Sequence, residues 1–188
     1  MHPRLEEVLN YLDSQRGALS EAVELVPTEL RDQQPGSDRW SVAQVLQHLV
    51  IIEKRIGMGM TKWVGDAVAG GLGPELETSS VLKSLNLDSI ADRSRRRNAP
   101  EEVRPDGSLN AASGWTALEQ TRAALRAGVL PGDGLALGEV IQTHPVLGPI
   151  NMYQWLLFVA GHEARHTAQV REIAAELNAS SDTAAGAM

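Results

Sequence analysis

None of the 188 residues is a cysteine, so disulfides, thiolate-held metals, iron–sulfur clusters and cysteine nucleophiles are all excluded. Any metal ligand must therefore be His, Asp or Glu. Aromatic residues are scarce, with one Phe and two Tyr beside four Trp. None of them interleaves with the basic cluster Arg93-Ser94-Arg95-Arg96-Arg97, which leaves those arginines without the stacking platforms that single-stranded nucleic acid needs. Pro100 and Pro105 follow closely, and the segment reads as a solvated loop. Positive charge is in deficit overall: 17 Lys and Arg against 24 Asp and Glu give a net charge of −7. A phosphate backbone finds little attraction in such a chain, and no nucleic-acid partner is expected. Long hydrophobic runs are missing too, since no stretch approaches the roughly 20 apolar residues that span a bilayer. The N-terminus, Met-His-Pro-Arg-Leu-Glu-Glu, has no basic segment followed by an apolar run. The expectation is a cytoplasmic protein without a membrane partner.

What is present is an ordinary globular composition, with 43% hydrophobic and 22% charged residues. The length supports one complete core and argues against two. A single domain is expected over residues 1–178, followed by a flexible tail at 179–188 made of small and polar residues.

Apolar residues recur at helical spacing in four blocks. Leu5, Val8, Leu9, Leu12, Leu19, Val23 and Val26 define a first helix over 4–26, with Pro3 in its first turn and Pro27 at its end. Ser41 and Gln44 have the capping-box spacing that opens a second helix, and Trp40 is placed to staple onto Val45. Val45, Leu49, Ile52 and Ile56 continue that stripe to about Val64, before the glycines at 65, 70, 71 and 73. Residues 65–114 keep no sustained period apart from a short helical candidate between Val81 and Ile90. They form a long crossover between the second and third helices, which suits a bundle whose chain must travel back along its length. Thr116 and Glu119 repeat the capping-box spacing and open a third helix to about Arg126. Asn151 and Gln154 open the last, with Trp155, Val159, Val170, Ile173 and Leu177 as its stripe. No strand is expected. The fold class is all-α, a four-helix bundle.

The chemistry lies where histidines fall on those stripes. His162 and His166 occupy consecutive core positions of the last helix, and residues at i and i+4 share one face with Cβ atoms about 6 Å apart. His48 lies between Val45 and Ile52 on the second helix, at steps of three and four, and also faces inward. A single core histidine is most simply a neutral ring satisfied by a carbonyl or a water. Three of them, left without partners, would each cost about 1–3 kcal/mol, whereas one divalent ion satisfies three ring nitrogens together. His48, His162 and His166 are therefore the expected metal ligands.

Trp40-Ser41 followed by His48, then His162-x-x-x-His166-x-x-Gln169, resembles the DinB/YfiT-like metalloenzyme superfamily, and the similarity extends over nearly the whole chain. His144-Pro145-Val146-Leu147-Gly148-Pro149 also resembles that family's approach to its last helix. The resemblance implies a four-helix bundle of up-down-down-up topology, with one ligand from the second helix and two from the last, which are His48, His162 and His166 here. It also implies a small-molecule substrate and a low-molecular-weight thiol as cofactor, because the family includes bacillithiol transferases and a mycothiol-dependent maleylpyruvate isomerase.

Three histidines leave a coordination position open, as in catalytic sites, and a divalent ion with neutral ligands acidifies water or a thiol that meets it. The expected function is that of a metal-dependent enzyme, of thiol S-transferase or hydrolase type, using Zn, Ni, Fe or Mn. The rival from another class is a non-enzymatic, metal-stabilised bundle that serves as a dimerisation or partner-binding module; a homodimer fits either. His162-Glu163-Ala164-Arg165-His166 also satisfies the H-E-x-x-H pattern of zinc proteases. Only 22 residues follow His166, too few to supply that class's third ligand and peptide-framing strands. Glu163 is retained as a candidate for water activation, beside the plainer reading of a supporting or surface carboxylate. His144 is assigned to a loop, His2 is assigned nothing, and Trp63, Trp115 and Met152 are read as core or pocket lining.

Overall fold

The computed structural model describes residues 1–94 and 98–185. Arg95, Arg96 and Arg97, the centre of the basic cluster, lie outside the described residues, as do positions 186–188. The helices are α1 (Pro3–Glu24), α2 (Val42–Ala69), a short α3 (Leu87–Ala91), α4 (Ala111–Val129) and α5 (Met152–Ala185). A hairpin of two antiparallel strands, β1 (Ile141–His144) and β2 (Gly148–Asn151), precedes α5, with Ile141 opposite Asn151 and His144 opposite Gly148. The chain is thus mainly helical, as its periodicity implies. The hairpin corrects the expectation of no strand: four-residue strands are too short to show an alternating pattern in the sequence. No helix among the described residues is long and apolar enough to cross a membrane.

Local signals account for most helix starts. The Ser41 hydroxyl accepts from the Gln44 N–H while the Gln44 side chain accepts from the Ser41 N–H, completing the capping box of α2. Asn151 and Gln154 do the same at the entry to α5. The third long helix begins five residues earlier than its expected Thr116 start. Asn110 is its N-cap, accepting from the Ser113 N–H at 2.8 Å, and Thr116 sits inside the helix with its hydroxyl bonded to the Ala112 carbonyl. Asn at the N-cap satisfies an orphan N–H as well as Thr does; no apolar stripe runs through Ala112 and Ser113 to signal the added turn.

The long helices pack chiefly as two pairs, α1 with α5 and α2 with α4, while α2 and α5 meet over a shorter stretch. Glycine permits close approach in the α2–α4 pair: a Cβ at Gly128 would come within 3.3 Å of the Thr61 backbone, and one at Gly114 within 3.2 Å of Leu46 Cβ. The apolar core is divided. One part gathers Leu5, Leu12, Ile56, Met60, Leu125 and Leu156; the other gathers Leu19, Leu46, Leu49, Leu118, Val170 and Ile173. Between them the helices carry charged side chains. The crossover runs from Gly70 to Asn110, and within it α3 packs against α5.

Candidate metal centre

α2 and α5 each deliver what their stripes imply. His48 and His166 are buried, at 4% and 6% exposure, and His162 is partly buried between them. The Nε2 atoms of His48 and His166 lie 3.4 and 3.2 Å from His162 Nε2. Among the described residues these three histidines form the one group of potential ligands close enough to share an ion, with all three ligand atoms within 4.8 Å of one another. Two nitrogens about 2.0–2.1 Å from a common ion at near-tetrahedral angles stand about 3.3 Å apart, so the two short separations suit a shared cation.

Hydrogen bonds on the far side of two rings decide where their protons sit. His48 Nδ1 donates to the Val103 carbonyl at 2.7 Å, which leaves its Nε2 lone pair free. Gln169 Oε1 receives the Arg93 guanidinium at 3.3 Å and faces His166 Nδ1 at 2.9 Å. An oxygen that already accepts from Arg93 is not an N–H, so His166 Nδ1 is the donor and its Nε2 is likewise free. Arg93 is itself held by both oxygens of Glu172, at 2.8 and 2.6 Å. Two lone pairs thus converge on His162 Nε2, which can donate to one of them at most.

Protonation is disfavoured throughout the cluster. Burial, then the neighbouring His48, Arg165 and His144 charges, pull the His162 ring down to about 3. Burial, reinforced by His162 and His48, holds His166 well below its usual value, and burial lowers His48 against an opposing pull from its Val103 bond. The rings are neutral at pH 7, the state in which imidazole binds metal.

Aromatic rings wall the cluster. Trp40 lies 5.1 Å from His48 and stacks at 6.4 Å over His166, and Phe158 stacks at 5.6 Å on His162. The next turn of α5 continues the wall through Trp155, which Trp63 meets at 5.2 Å. His144 does not join the ligand cluster. Its Nδ1 accepts from the Val146 and Leu147 N–H groups, both at 3.1 Å, and so organises the hairpin turn, with its ring against Phe158 at 4.2 Å and Trp155 at 4.9 Å. That leaves His144 Nε2 as an N–H. Trp155 Nε1 is buried without a hydrogen-bond partner among the described residues.

Glu163 does not join the histidine cluster either, and its surroundings differ from those a water-activating carboxylate would need. It is 2% exposed, and its two oxygens receive Arg16 at 2.5 Å and Arg122 at 2.8 Å. Glu53 takes the remaining arms of the same two guanidiniums, Arg122 at 2.5 Å and Arg16 at 2.9 Å. The four side chains close a ring, one from each long helix. Sequence reasoning missed it, although a signal was present: Arg16 fills the gap between Leu12 and Leu19, and Arg122 stands between Leu118 and Leu125. On α2, Glu53 is buried where the apolar stripe pointed to Ile52, which is only partly covered. Of the lining candidates, Met152 is buried core, while Trp115 packs under the Arg16 guanidinium at 5.9 Å.

Comparison with known proteins agrees with this architecture. The family model of the DinB superfamily matches residues 11–170. The chain belongs to the DinB superfamily. A DinB-superfamily assignment covers every residue of the histidine cluster and of the charged ring. The chain is similar to the uncharacterized protein YuaE of Bacillus subtilis (strain 168), at 29% identity over 146 residues, which is 77% of this chain and 83% of that relative. No solved structure matches.

Proposed function

We propose that this DinB-superfamily protein is a divalent-metal-dependent enzyme acting on a small molecule, by thiol transfer or hydrolysis, through His48, His162 and His166. The observation that carries the reading is the pair of fixed tautomers. Val103 and Gln169 accept from the Nδ1 atoms of His48 and His166, so both Nε2 lone pairs face His162 Nε2, which has one proton at most to offer the two of them. In the absence of a cation at least one of these lone pairs is left without a donor from His162, and a donor set of three neutral imidazoles suits Zn, Ni, Fe or Mn. A divalent ion held there supplies Lewis acidity toward a small nucleophile, water or a low-molecular-weight thiol.

The chain's own residues supply the rest. Trp40 and Phe158 cover the histidines with apolar surface and exclude bulk water from them. Trp155 Nε1 is a buried N–H donor without an acceptor among the described residues, and the His144 ring stands beside it on the same aromatic wall. A buried donor normally finds an acceptor, and an acceptor-bearing substrate meets the need of Trp155 Nε1, which favours an enzyme over a purely structural site. The reading extends to a cytoplasmic setting, with no nucleic-acid partner.

Elemental analysis of the purified protein tests the core of this. About one equivalent of a divalent transition metal is expected, with most of it lost in His48→Ala; unchanged content in that variant would remove His48 from the site. Conjugation assays with bacillithiol, mycothiol and glutathione then test thiol transfer. A second reading, a non-enzymatic module whose ion ties α2 to α5, is favoured by the short direct contact between those helices. Inactivity of the metal-loaded protein in thiol and hydrolase screens, together with a dimer in solution, would support it.

A further inference from the structure

The ring of Arg16, Glu53, Arg122 and Glu163 closes through four separate carboxylate oxygens, and each guanidinium touches both carboxylates. Both carboxylates stand on the helices that carry the histidines, α2 and α5, and both guanidiniums stand on the other two, α1 and α4. The remaining donors are also engaged: Arg16 Nη1 with the Leu118 carbonyl at 3.2 Å and Glu119 at 2.9 Å, Arg122 Nη1 with the Leu12 carbonyl at 2.9 Å. All four residues are between 2% and 8% exposed, and they lie between the two parts of the apolar core.

We propose that this ring is the positioning device of the metal centre: it sets the rotation and register of α5 against α2, so that His48 stands opposite His162 and His166 before any ion binds. The inference rests on the metal reading above. The α2 and α5 backbones come close over a shorter stretch than those of either main pair, whereas each guanidinium bridges Glu53 to Glu163 through a rigid planar fork. Glu163 is the neighbour of His162, so any rotation of α5 that displaces His162 pulls Glu163 out of two charged hydrogen bonds. Glu53 is five residues from His48, about 7.5 Å along α2. Sliding α5 by one turn, about 5.4 Å, would push the Glu163 carboxylate into the apolar core without partners, the costly state for a buried charge. Hydrophobic side chains alone tolerate such slips; a closed ring of alternating charge has one arrangement.

The test separates holding the fold from holding the site. A quadruple variant, Arg16→Met, Glu53→Leu, Arg122→Met and Glu163→Leu, replaces the ring with apolar bulk, a change that commonly leaves stability equal or higher. Cobalt(II) is the probe, with affinity measured by chelator competition and coordination read from the visible d–d bands. The expected result is a folded variant with cobalt affinity at least about tenfold weaker and altered bands, the size of effect seen when groups supporting metal ligands are lost. Glu53→Gln, which keeps shape but weakens two corners, should lose affinity in the same direction and decides the matter if the quadruple variant does not fold. Leu5→Ala, a core truncation remote from the ring, should lose stability yet keep wild-type cobalt affinity. Wild-type affinity and spectrum in the ring variants would overturn the inference, as would an affinity loss shared equally by Leu5→Ala. Failure of the wild type to take up cobalt would instead remove the metal reading, and the positioning role with it.

Discussion

Replacing Arg122 with methionine deletes three donors at once, to Glu53 at 2.5 Å, Glu163 at 2.8 Å and the Leu12 carbonyl at 2.9 Å. The two carboxylates, 3% and 2% exposed, are left to share Arg16, and the ring changes from neutral to net negative. Methionine fills much of the volume, so the loss is electrostatic more than steric. Breaking a buried ion pair by removing one partner costs about 3–5 kcal/mol, and in a domain of this size each kcal/mol lowers Tm by about 2–4 °C. Thermal and urea unfolding at pH 7.5 should therefore show Tm lower by about 6–20 °C. The pH dependence carries the sign. Burial already pushes the Glu53 carboxyl up against the pull of Arg122 and Arg16, and removing Arg122 raises it further. A carboxyl raised in the folded state costs stability as pH climbs above its unfolded value, so the deficit of Arg122→Met should narrow between pH 7.5 and 5. Adding Glu53→Leu removes one surplus charge and should recover part of the loss at neutral pH. A single-variant deficit under about 1 kcal/mol, or one that widens on acidification, would refute this account of the ring.

Gln169→Leu leaves His166 Nδ1 without its acceptor and frees the ring to change tautomer; metal affinity by competition titration should fall about 10- to 100-fold. Metal-free protein should lose stability as pH falls below about 6.5, because the unfolded chain takes up protons that His162, held down to about 3, refuses. The slope is at most about 1.4 kcal/mol per pH unit for each such ring, and urea midpoints between pH 7 and 5 should fall less steeply in His162→Phe than in the wild type. Asn110→Ala removes the N-cap of α4 and should cost about 1 kcal/mol by urea unfolding.

The helices and the gathering of the three histidines were legible in the sequence because both depend on spacing. The stripes of α1, α2 and α5, the capping pairs Ser41–Gln44 and Asn151–Gln154, and the inward placement of His48, His162 and His166 all follow from a repeat of 3.6 residues. The start of α4 at Asn110 and the hairpin around His144 were not legible, since a cap without an apolar stripe and four-residue strands leave no periodic trace.

Spacing along one helix says which way a side chain faces, and so the sequence by itself determined a helical bundle with three core-facing histidines. What those side chains meet depends on the packing of other helices. Only the tertiary structure decided that Val103 and Gln169 set the tautomers of His48 and His166, and that Glu163 belongs to a ring with Glu53, Arg16 and Arg122 rather than to the histidines. The partners within the ring lie 37 to 147 residues apart in the chain. Charges at such separations carry no mark of one another until folding brings them into hydrogen-bonding distance.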